Sequence, residues 1–312
     1  MMYVLMLTSL MGICSTQWVT LWVILEMNTL SMCFLISKEK KKSKDKENVS
    51  LLYFLTQVLC SICILIASNM QHSPLTQMVL CTAIMMKMGS WPTHLWYMKL
   101  INLMELKETP LMLIMTWQKI LPTSMILMMK MTLINLTILM GMAFMSILVA
   151  TSQLKKELSM KSILGLSSLN NNGWLTITCL ISPKILMLYL LLYSPSLILL
   201  MMKMKKMKTI EKNHPVKFWE TSMMMMNLSG LPPMTMFWGK LMVVKNMMNT
   251  NFPKESVFIL ILTSCVFLYF YMTMLSVQMT KMVSKFPLPL ENPQKTSIIP
   301  PLSMLGVCFL LL

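Results

Sequence analysis

Blocks of apolar residues alternate along the chain with short polar segments. Each block is about 18–25 residues long, which is enough for an α-helix to cross about 30 Å of hydrocarbon. The polar segments between them are too short to hold a soluble domain. The pattern predicts eleven membrane spans, at residues 2–16, 17–37, 51–69, 75–97, 110–129, 132–150, 162–181, 184–202, 218–244, 256–277 and 297–312.

The predicted fold is therefore all-α, a polytopic transmembrane helix bundle of about 11 helices that forms a single transmembrane domain over residues 1–312. Two of the predicted spans carry helix-breaking residues at mid-membrane, and irregular backbone at that depth is tolerated only where it packs in protein or lines a cavity. We therefore expect two discontinuous (broken) helices. The breaking residues are Gly89 and Pro92 in one span, and Gly230, Pro232 and Pro233 in the other.

Composition supports the membrane assignment and places the charges. The chain is 56% hydrophobic and 12% charged, whereas a soluble domain carries about a quarter charged residues. All 27 basic residues are lysine, and the net charge is +16. Twenty of these lysines lie in alternate loops and four in the opposite loops. This positive-inside pattern predicts an inward N-terminus and argues against nucleic acid binding.

Targeting signals and metal motifs add little. The first residues lack both a basic n-region and the Arg/Ser-rich pattern of a transit peptide, so no cleavable signal is predicted. Cys60 and Cys63 have a suggestive spacing, but no second pair or nearby histidine accompanies them, so zinc and redox chemistry are not favoured. The 42 methionines often stand where leucine or isoleucine would serve, which fits lipid-facing positions.

Four ionisable residues fall near the centres of predicted spans: Glu26, Lys87, Lys119 and Lys240. A charge at bilayer depth costs at least about 2.5–3.5 kcal/mol on insertion scales. These side chains must therefore face one another, water or a polar interior. Two simpler interpretations stay open: Lys240 could snorkel to the membrane surface, and Glu26 could make only a structural hydrogen bond.

The four charges are candidates for a proton relay. Desolvation disfavours the charged form of a lysine and a nearby carboxylate favours it, so a lysine that moves between such surroundings can load and release a proton. Gln118, beside Lys119, offers a place to hold water. His94 is a possible accessory member, because an unperturbed histidine titrates near neutral pH, or a hydrogen-bonded packing residue. Charges beside helix breaks are also how transporters build midplane ion sites.

Five segments, in order along the chain, resemble segments of a known family. They are LEMNTLS (25–31), KMGSWPTHLW (87–96), MTWQKILP (115–122), KSILGLSSLNNNGW (161–174) and LSGLPPMTMFWGK (228–240). They are similar to the subunit 2 family of mitochondrial NADH:ubiquinone oxidoreductase, respiratory complex I, whose members are antiporter-like proton-translocating subunits. The resemblance covers an antiporter-like core at about 15–245, and the C-terminal helices at about 256–312 match only in hydropathy.

The resemblance implies roles for the buried charges. The family glutamate falls on Glu26, the lysine of the first broken helix on Lys87, the central lysine on Lys119, and the lysine of the second broken helix on Lys240. It implies a core membrane subunit that conducts or gates proton translocation, driven by electron transfer from NADH to ubiquinone elsewhere in the complex. Any enzyme activity would belong to the assembly. In this hypothesis Glu26 and Lys87 form a pair whose separation controls the proton on Lys87, and protons then pass through Lys119 towards Lys240 near the exit. Here an asparagine replaces the histidine of the fourth segment, and Gly239 replaces the proline before the last lysine.

The resemblance also implies the chain's surroundings. Its partners would be other complex I membrane subunits, including neighbouring antiporter-like subunits, together with inner-membrane lipid. It would be a multi-pass protein of the mitochondrial inner membrane with its N-terminus on the matrix side. NADH, FMN, iron–sulfur clusters and ubiquinone would belong to other subunits. The sequence agrees, since it has no cysteine cluster and no G-x-G-x-x-G segment.

Two other functions remain compatible with these residues. One is a free-standing cation/proton antiporter, which would use the same kind of buried Lys/Glu set. The other is a non-conducting scaffold that joins neighbouring subunits.

Overall fold

The computed structural model describes residues 2–38, 44–70, 73–105, 109–129, 132–154, 159–209, 215–232, 234–250 and 252–283. All regular secondary structure in these ranges is helical, so the predicted all-α class is confirmed. Ten of the eleven predicted spans lie on described helices. The span at 297–312 and the predicted break residue Pro233 lie outside the described residues.

The helices follow one another with short connections. They are α1 Met2–Cys14, α2 Trp18–Lys38, α3 Lys44–Asn69, α4 Pro74–Met88, α5 Leu95–Leu103, α6 Thr109–Met115, a 3-10 helix Trp117–Lys119, α7 Ile120–Met128, α8 Leu133–Leu154, α9 Met160–Ile181, α10 Pro183–Thr209, α11 Pro215–Ser229, α12 Thr235–Asn249 and α13 Lys254–Val283.

Within these ranges, six helical segments are long and apolar enough to cross a membrane. They are Trp18–Lys38, Asn48–Asn69, Thr109–Met128, Leu133–Leu154, Pro183–Met204 and Lys254–Ser276. The segment Thr109–Met128 joins α6, the 3-10 helix and α7. Several of the remaining helices are too short or too polar to qualify alone, and they include the ones that carry the candidate relay lysines Lys87 and Lys240.

The chain divides into two compact units, Met1–Leu186 and Met187–Leu312. In the first unit α9 packs on α5, α7 and α8, and α4 packs on α3, α7 and α8. In the second unit α11, α12 and α13 pack on one another. The single transmembrane domain expected from the sequence stays a prediction.

Helix α9 is the polar centre of the first unit. Every residue from Ser162 to Cys179 is buried, although serine, threonine and asparagine supply much of the segment. The hydroxyls of Ser167, Ser168, Thr176 and Thr178 each donate to the carbonyl oxygen three residues earlier. These internal bonds let a polar helix lie in an apolar interior, because buried hydroxyl groups without partners would be costly.

Helix α4 ends in a glycine turn directly after Lys87. Gly89 adopts a left-handed conformation with φ of 73°, which only glycine reaches without strain. Its N–H bonds back to Met86, and the N–H and the hydroxyl of Ser90 both bond to the carbonyl oxygen of Met85. The Trp91–Pro92 peptide that follows is cis. That α4 and α5 are halves of one discontinuous membrane helix stays a prediction.

The chain between α11 and α12 turns in a similar way. Gly230 has φ of 85°, and Asn227 at the end of α11 reaches across the turn. Its Oδ1 atom accepts hydrogen bonds from the hydroxyl of Thr235 and the N–H of Met236, at 3.0 and 3.2 Å. Asn227 thereby satisfies a free N–H in the first turn of α12, as a capping side chain does. That α11 and α12 form the second discontinuous helix also stays a prediction.

A further irregularity, which the sequence pattern did not predict, lies at Trp117–Lys119. The span at 110–129 was expected to be a regular helix, but the chain tightens there into a 3-10 turn before α7. Pro122 explains the change, because proline has no N–H to donate to the carbonyl of Gln118 and its ring crowds that carbonyl. Lys119 therefore lies where the helix is distorted, in the kind of segment that often marks a functional site.

Candidate functional site

Glu26 and Lys87 form an ion pair between α2 and α4. The Nζ atom of Lys87 lies 3.2 Å from Oε1 of Glu26. The Lys87 side chain is 1% exposed and that of Glu26 is 24% exposed. The lysine therefore lies inside the helix bundle, whereas the carboxylate reaches its edge.

Lys119 is also buried, at 1% exposure. Its Nζ atom donates a hydrogen bond to the backbone carbonyl of Ser168 in α9, at 3.3 Å. The residues before it anchor the distorted turn: the hydroxyl of Thr116 donates to the Met112 carbonyl, and the indole N–H of Trp117 donates to Ser9 in α1. Hydrogen bonds to α9 and α1, together with the turn itself, thus hold Lys119 in position.

One cavity lies between the two candidate relay lysines of the first unit, Lys87 and Lys119. It is small, about 10 Å³, and both Lys87 and Lys119 line it. That volume is close to what one water molecule needs. The other lining residues are Tyr53, Met88, Trp96, Tyr97, Ile114 and Gln118. The structure thus brings Glu26, Lys87 and Lys119 into one continuous group.

The wall of this cavity contains groups that can bind water. Gln118 Oε1 accepts a hydrogen bond of 2.7 Å from the hydroxyl of Tyr53 in α3. The Nε2 atom of Gln118 and the indole nitrogen of Trp96 are both buried without a hydrogen-bond partner in the protein. Buried water in proteins typically satisfies such groups. The geometry is therefore compatible with the accessory role expected for Gln118, which is to hold water beside Lys119.

His94 lies apart from the cavity lining. It is buried at 7% exposure, and its Nε2 atom lies 3.0 Å from Nε2 of Gln153, near the end of α8. The contact is compatible with both interpretations left open by the sequence, a packing histidine and an accessory relay residue.

Lys240 belongs to the second unit. It is 7% exposed, and its Nζ atom donates a hydrogen bond of 2.9 Å to the carbonyl of Ser229 at the end of α11. The lysine side chain lies over Gly230, because a Cβ atom built there would be 3.2 Å from Lys240 Cδ and 3.3 Å from Nζ. The Lys240 side chain is therefore folded back on the end of α11.

Several residues of the site were missed by the sequence analysis. Tyr53, Tyr97 and Ser168 contact the cavity or the relay lysines, and Asn172 of α9 bonds to the end of α4. Tyr53 sits in an ordinary apolar span, and nothing in its neighbourhood marks it. The asparagines at 170–172 drew attention because one of them, Asn172, replaces the family histidine, and its partner on α4 depends on packing.

The fold and this group of buried charges define a class of protein: a polytopic helical membrane protein built to hold ionisable groups in its interior. The model of the family described as NADH:quinone oxidoreductase/Mrp antiporter, TM, matches residues 67–268. The chain belongs to that family.

Relatives match along nearly the whole chain. The NADH-ubiquinone oxidoreductase chain 2 of Ailurus fulgens is 28% identical over 327 residues, covering 97% of this chain and 92% of the relative. The protein of the same name from Lumbricus terrestris is 28% identical over 314 residues, covering 95% and 90%.

Solved structures show the same fold. A chain of respiratory complex I from Thermus thermophilus with bound aureothin matches with a TM-score of 0.73 at 18% identity, covering 97% of this chain and 74% of that chain. A chain of the Mrp complex from Dietzia sp. matches with a TM-score of 0.70 at 14% identity, covering 82% and 55%. The antiporter-like helix bundle expected from the sequence is thereby confirmed.

Proposed function

We propose that this chain is a core membrane subunit of a respiratory NADH:ubiquinone oxidoreductase and that it carries protons through Glu26, Lys87, Lys119 and Lys240. The observation that carries the proposal is the shared cavity, because Lys87 and Lys119 line one space that fits a single water molecule. The names of its relatives, NADH-ubiquinone oxidoreductase chain 2, support membership of such a complex.

The Glu26–Lys87 distance and the shared cavity support a first pair of relay steps. While Glu26 holds Lys87 at 3.2 Å, the carboxylate stabilises the ammonium form, because an opposite charge at that range favours it. When the pair opens, the desolvated lysine loses that support and gives up its proton. Water in the cavity can pass the proton to Lys119. Lys240 serves a later step in the second unit, and His94 and Gln118 are accessory members.

The chain's surroundings belong to the same proposal. The complex lies in the mitochondrial inner membrane, and this chain crosses it several times with its N-terminus on the matrix side. Its partners are other membrane subunits of the complex, including neighbouring antiporter-like subunits, and the surrounding lipid. Electron transfer through NADH, FMN, iron–sulfur clusters and ubiquinone takes place on other subunits and drives the protons here.

Replacement of Lys119 by Met tests the relay. In the complex reconstituted into vesicles, Lys119→Met keeps much of the side-chain volume and removes the ionisable amine. We expect NADH-driven proton uptake to fall at least about tenfold, the size of effect that proton-transfer groups commonly have. Lys99→Met, which replaces an exposed lysine of α5, is the control and should pump normally. Normal pumping by Lys119→Met would refute the relay.

A free-standing cation/proton antiporter is the second candidate, and the fold match to the Mrp complex is what favours it. Gentle detergent purification of the native protein separates the two functions. Recovery in a large NADH-oxidising assembly supports the complex I subunit, whereas recovery without NADH oxidation and with cation-dependent proton exchange supports the antiporter.

A further inference from the structure

The end of α4 is held by a side chain from α9. Nδ2 of Asn172 donates a hydrogen bond of 2.8 Å to the carbonyl oxygen of Met88, and Asn172 is fully buried. The last carbonyls of an α-helix have no donor within the helix, so a neighbouring helix satisfies this one. The place of Met88, and of Lys87 beside it, is therefore tied to α9.

The ring of Tyr97, in the first turn of α5, covers the same helix end. A Cβ atom at Gly89 would lie 2.8–2.9 Å from atoms of Tyr97, so the ring packs directly on the glycine backbone. Tyr97 is 1% exposed, and its hydroxyl oxygen lies 2.5 Å from Oγ of Ser168 in α9. Tyr97 thus touches the turn after Lys87 with its ring and α9 with its hydroxyl.

The donors in this group can be assigned. The hydroxyl of Ser168 donates to the carbonyl of Gly165 at 2.7 Å. A serine hydroxyl has one proton, so in this arrangement Tyr97 is the donor to Ser168. The backbone carbonyl of the same serine accepts the hydrogen bond from Lys119. Ser168 therefore contacts Tyr97 through its side chain and Lys119 through its backbone.

We propose that Tyr97 is a positioning residue of the proton relay: through its hydrogen bond to Ser168, it ties the place of Lys119 to the end of α4 that carries Lys87. The inference rests on the proposed function and adds a residue to it. Protein interiors are close-packed, so a shift of the α4 end moves the Tyr97 ring and, with it, the Ser168 backbone. Lys87 and Lys119 therefore move together when the Glu26–Lys87 pair opens.

Two substitutions remove the same bond from opposite ends. Tyr97→Phe keeps the ring on Gly89 and removes the hydroxyl, and Ser168→Ala removes the acceptor. In the reconstituted complex we expect each to lower NADH-driven proton translocation, per assembled complex, by about two- to tenfold, the equivalent of one buried hydrogen bond. The double variant should translocate protons no more slowly than the more impaired of the two single variants, because both changes remove the same hydrogen bond. Additive losses would overturn the proposal.

Ser146→Ala is the matched control. Ser146 is buried in α8, and its hydroxyl also donates to a carbonyl three residues earlier, that of Ala143. It should translocate protons at the rate of the unmodified complex, and a loss equal to that of Ser168→Ala would count against a specific role for the Tyr97 bond.

The Lys119→Met variant distinguishes a failure of the Tyr97 proposal from a failure of the proton relay on which it rests. If Lys119→Met pumps normally, the relay itself fails. If Lys119→Met stops translocation while Tyr97→Phe translocates at the unmodified rate, the relay stands and the positioning role of Tyr97 is refuted.

Discussion

Lys87 and Glu26 face each other at 3.2 Å between α4 and α2, yet the lysine is enclosed and the carboxylate is partly open to the bundle edge. A change in the surroundings of the chain can reach Glu26 first, for example when a neighbouring subunit moves. Lys87 then experiences that change through its ion pair with Glu26.

The ion pair predicts a non-additive effect on stability. Glu26→Gln leaves the buried ammonium without its opposite charge, and loss of one partner of a buried pair costs about 3–5 kcal/mol, an upper bound here because Glu26 is partly exposed. The double variant Glu26→Gln/Lys87→Met should recover part of that loss in thermal unfolding of the complex in detergent. Glu255→Gln, at an exposed carboxylate in the first turn of α13, should cost no more than about 1 kcal/mol, the usual contribution of a charge at a helix end. A double variant as unstable as the sum of the single ones would contradict the pair.

The glycine turn after Lys87 predicts intolerance of a side chain. Gly89→Ala forces a non-glycine residue to φ of 73° and places a methyl group 2.8 Å from Tyr97. We expect a loss of about 1–3 kcal/mol in the free energy of unfolding. Gly141→Ala in α8 is the control, because its Cβ would meet no atom within 4 Å, and it should stabilise the helix by up to about 1 kcal/mol. If Gly89→Ala and Gly141→Ala unfold at the same midpoint, the turn after Lys87 does not require glycine at position 89.

The cap on α12 predicts local opening beside Lys240. Asn227→Ala removes the acceptor for the Met236 N–H and the Thr235 hydroxyl, a change typically worth about 0.5–2 kcal/mol. Hydrogen exchange should therefore be faster at the Met236 amide. Asn246→Ala, at a half-buried asparagine whose side-chain amide donates to the Met242 carbonyl of the same helix, should leave that exchange rate unchanged. If Asn227→Ala also leaves it unchanged, the capping role is wrong.

The 3-10 turn before α7 predicts opposite effects on stability and transport. Pro122→Ala restores an N–H for the Gln118 carbonyl, so the helix should become regular and more stable, by up to about 3 kcal/mol. Lys119 would then rotate away from the cavity, and proton translocation should fall about tenfold or more, since small misplacements of reacting groups have large effects. Pro195→Ala, at a proline inside α10, should keep translocation. Unchanged translocation in Pro122→Ala would show that the turn does not position Lys119.

The sequence predicted most of the helices but not how the interior groups meet. Hydrophobic block length is a local property, so the spans could be read directly from the chain. The pairing of Lys87 with Glu26 was expected, and the two side chains do meet at 3.2 Å, but the distance and the unequal burial of the pair depend on how α2 and α4 pack. The roles of the four charges, and of His94 and Gln118, stay predictions.

Two misses have different physical causes. The distortion at Trp117–Lys119 had a visible signal in Pro122, three residues after the lysine, which went unused. The bond from Asn172 to Met88 is different: the break at Gly89 was predicted, but that α9 would bring Asn172 to the open carbonyl there depends on packing.

Helix α9 has a consequence for how the protein is made. It carries three successive asparagines and several hydroxyl residues, and it is not among the described helices apolar enough to cross a membrane by themselves. Left alone during synthesis, such a segment would gain little by leaving the insertion machinery for lipid, since polar amides are poorly solvated there. Its neighbour α8 is strongly apolar and packs along it. The two helices should therefore enter the bilayer together as a hairpin. The α9 residues that contact Lys119 then reach their place only because α8, which is made first, carries α9 into the membrane.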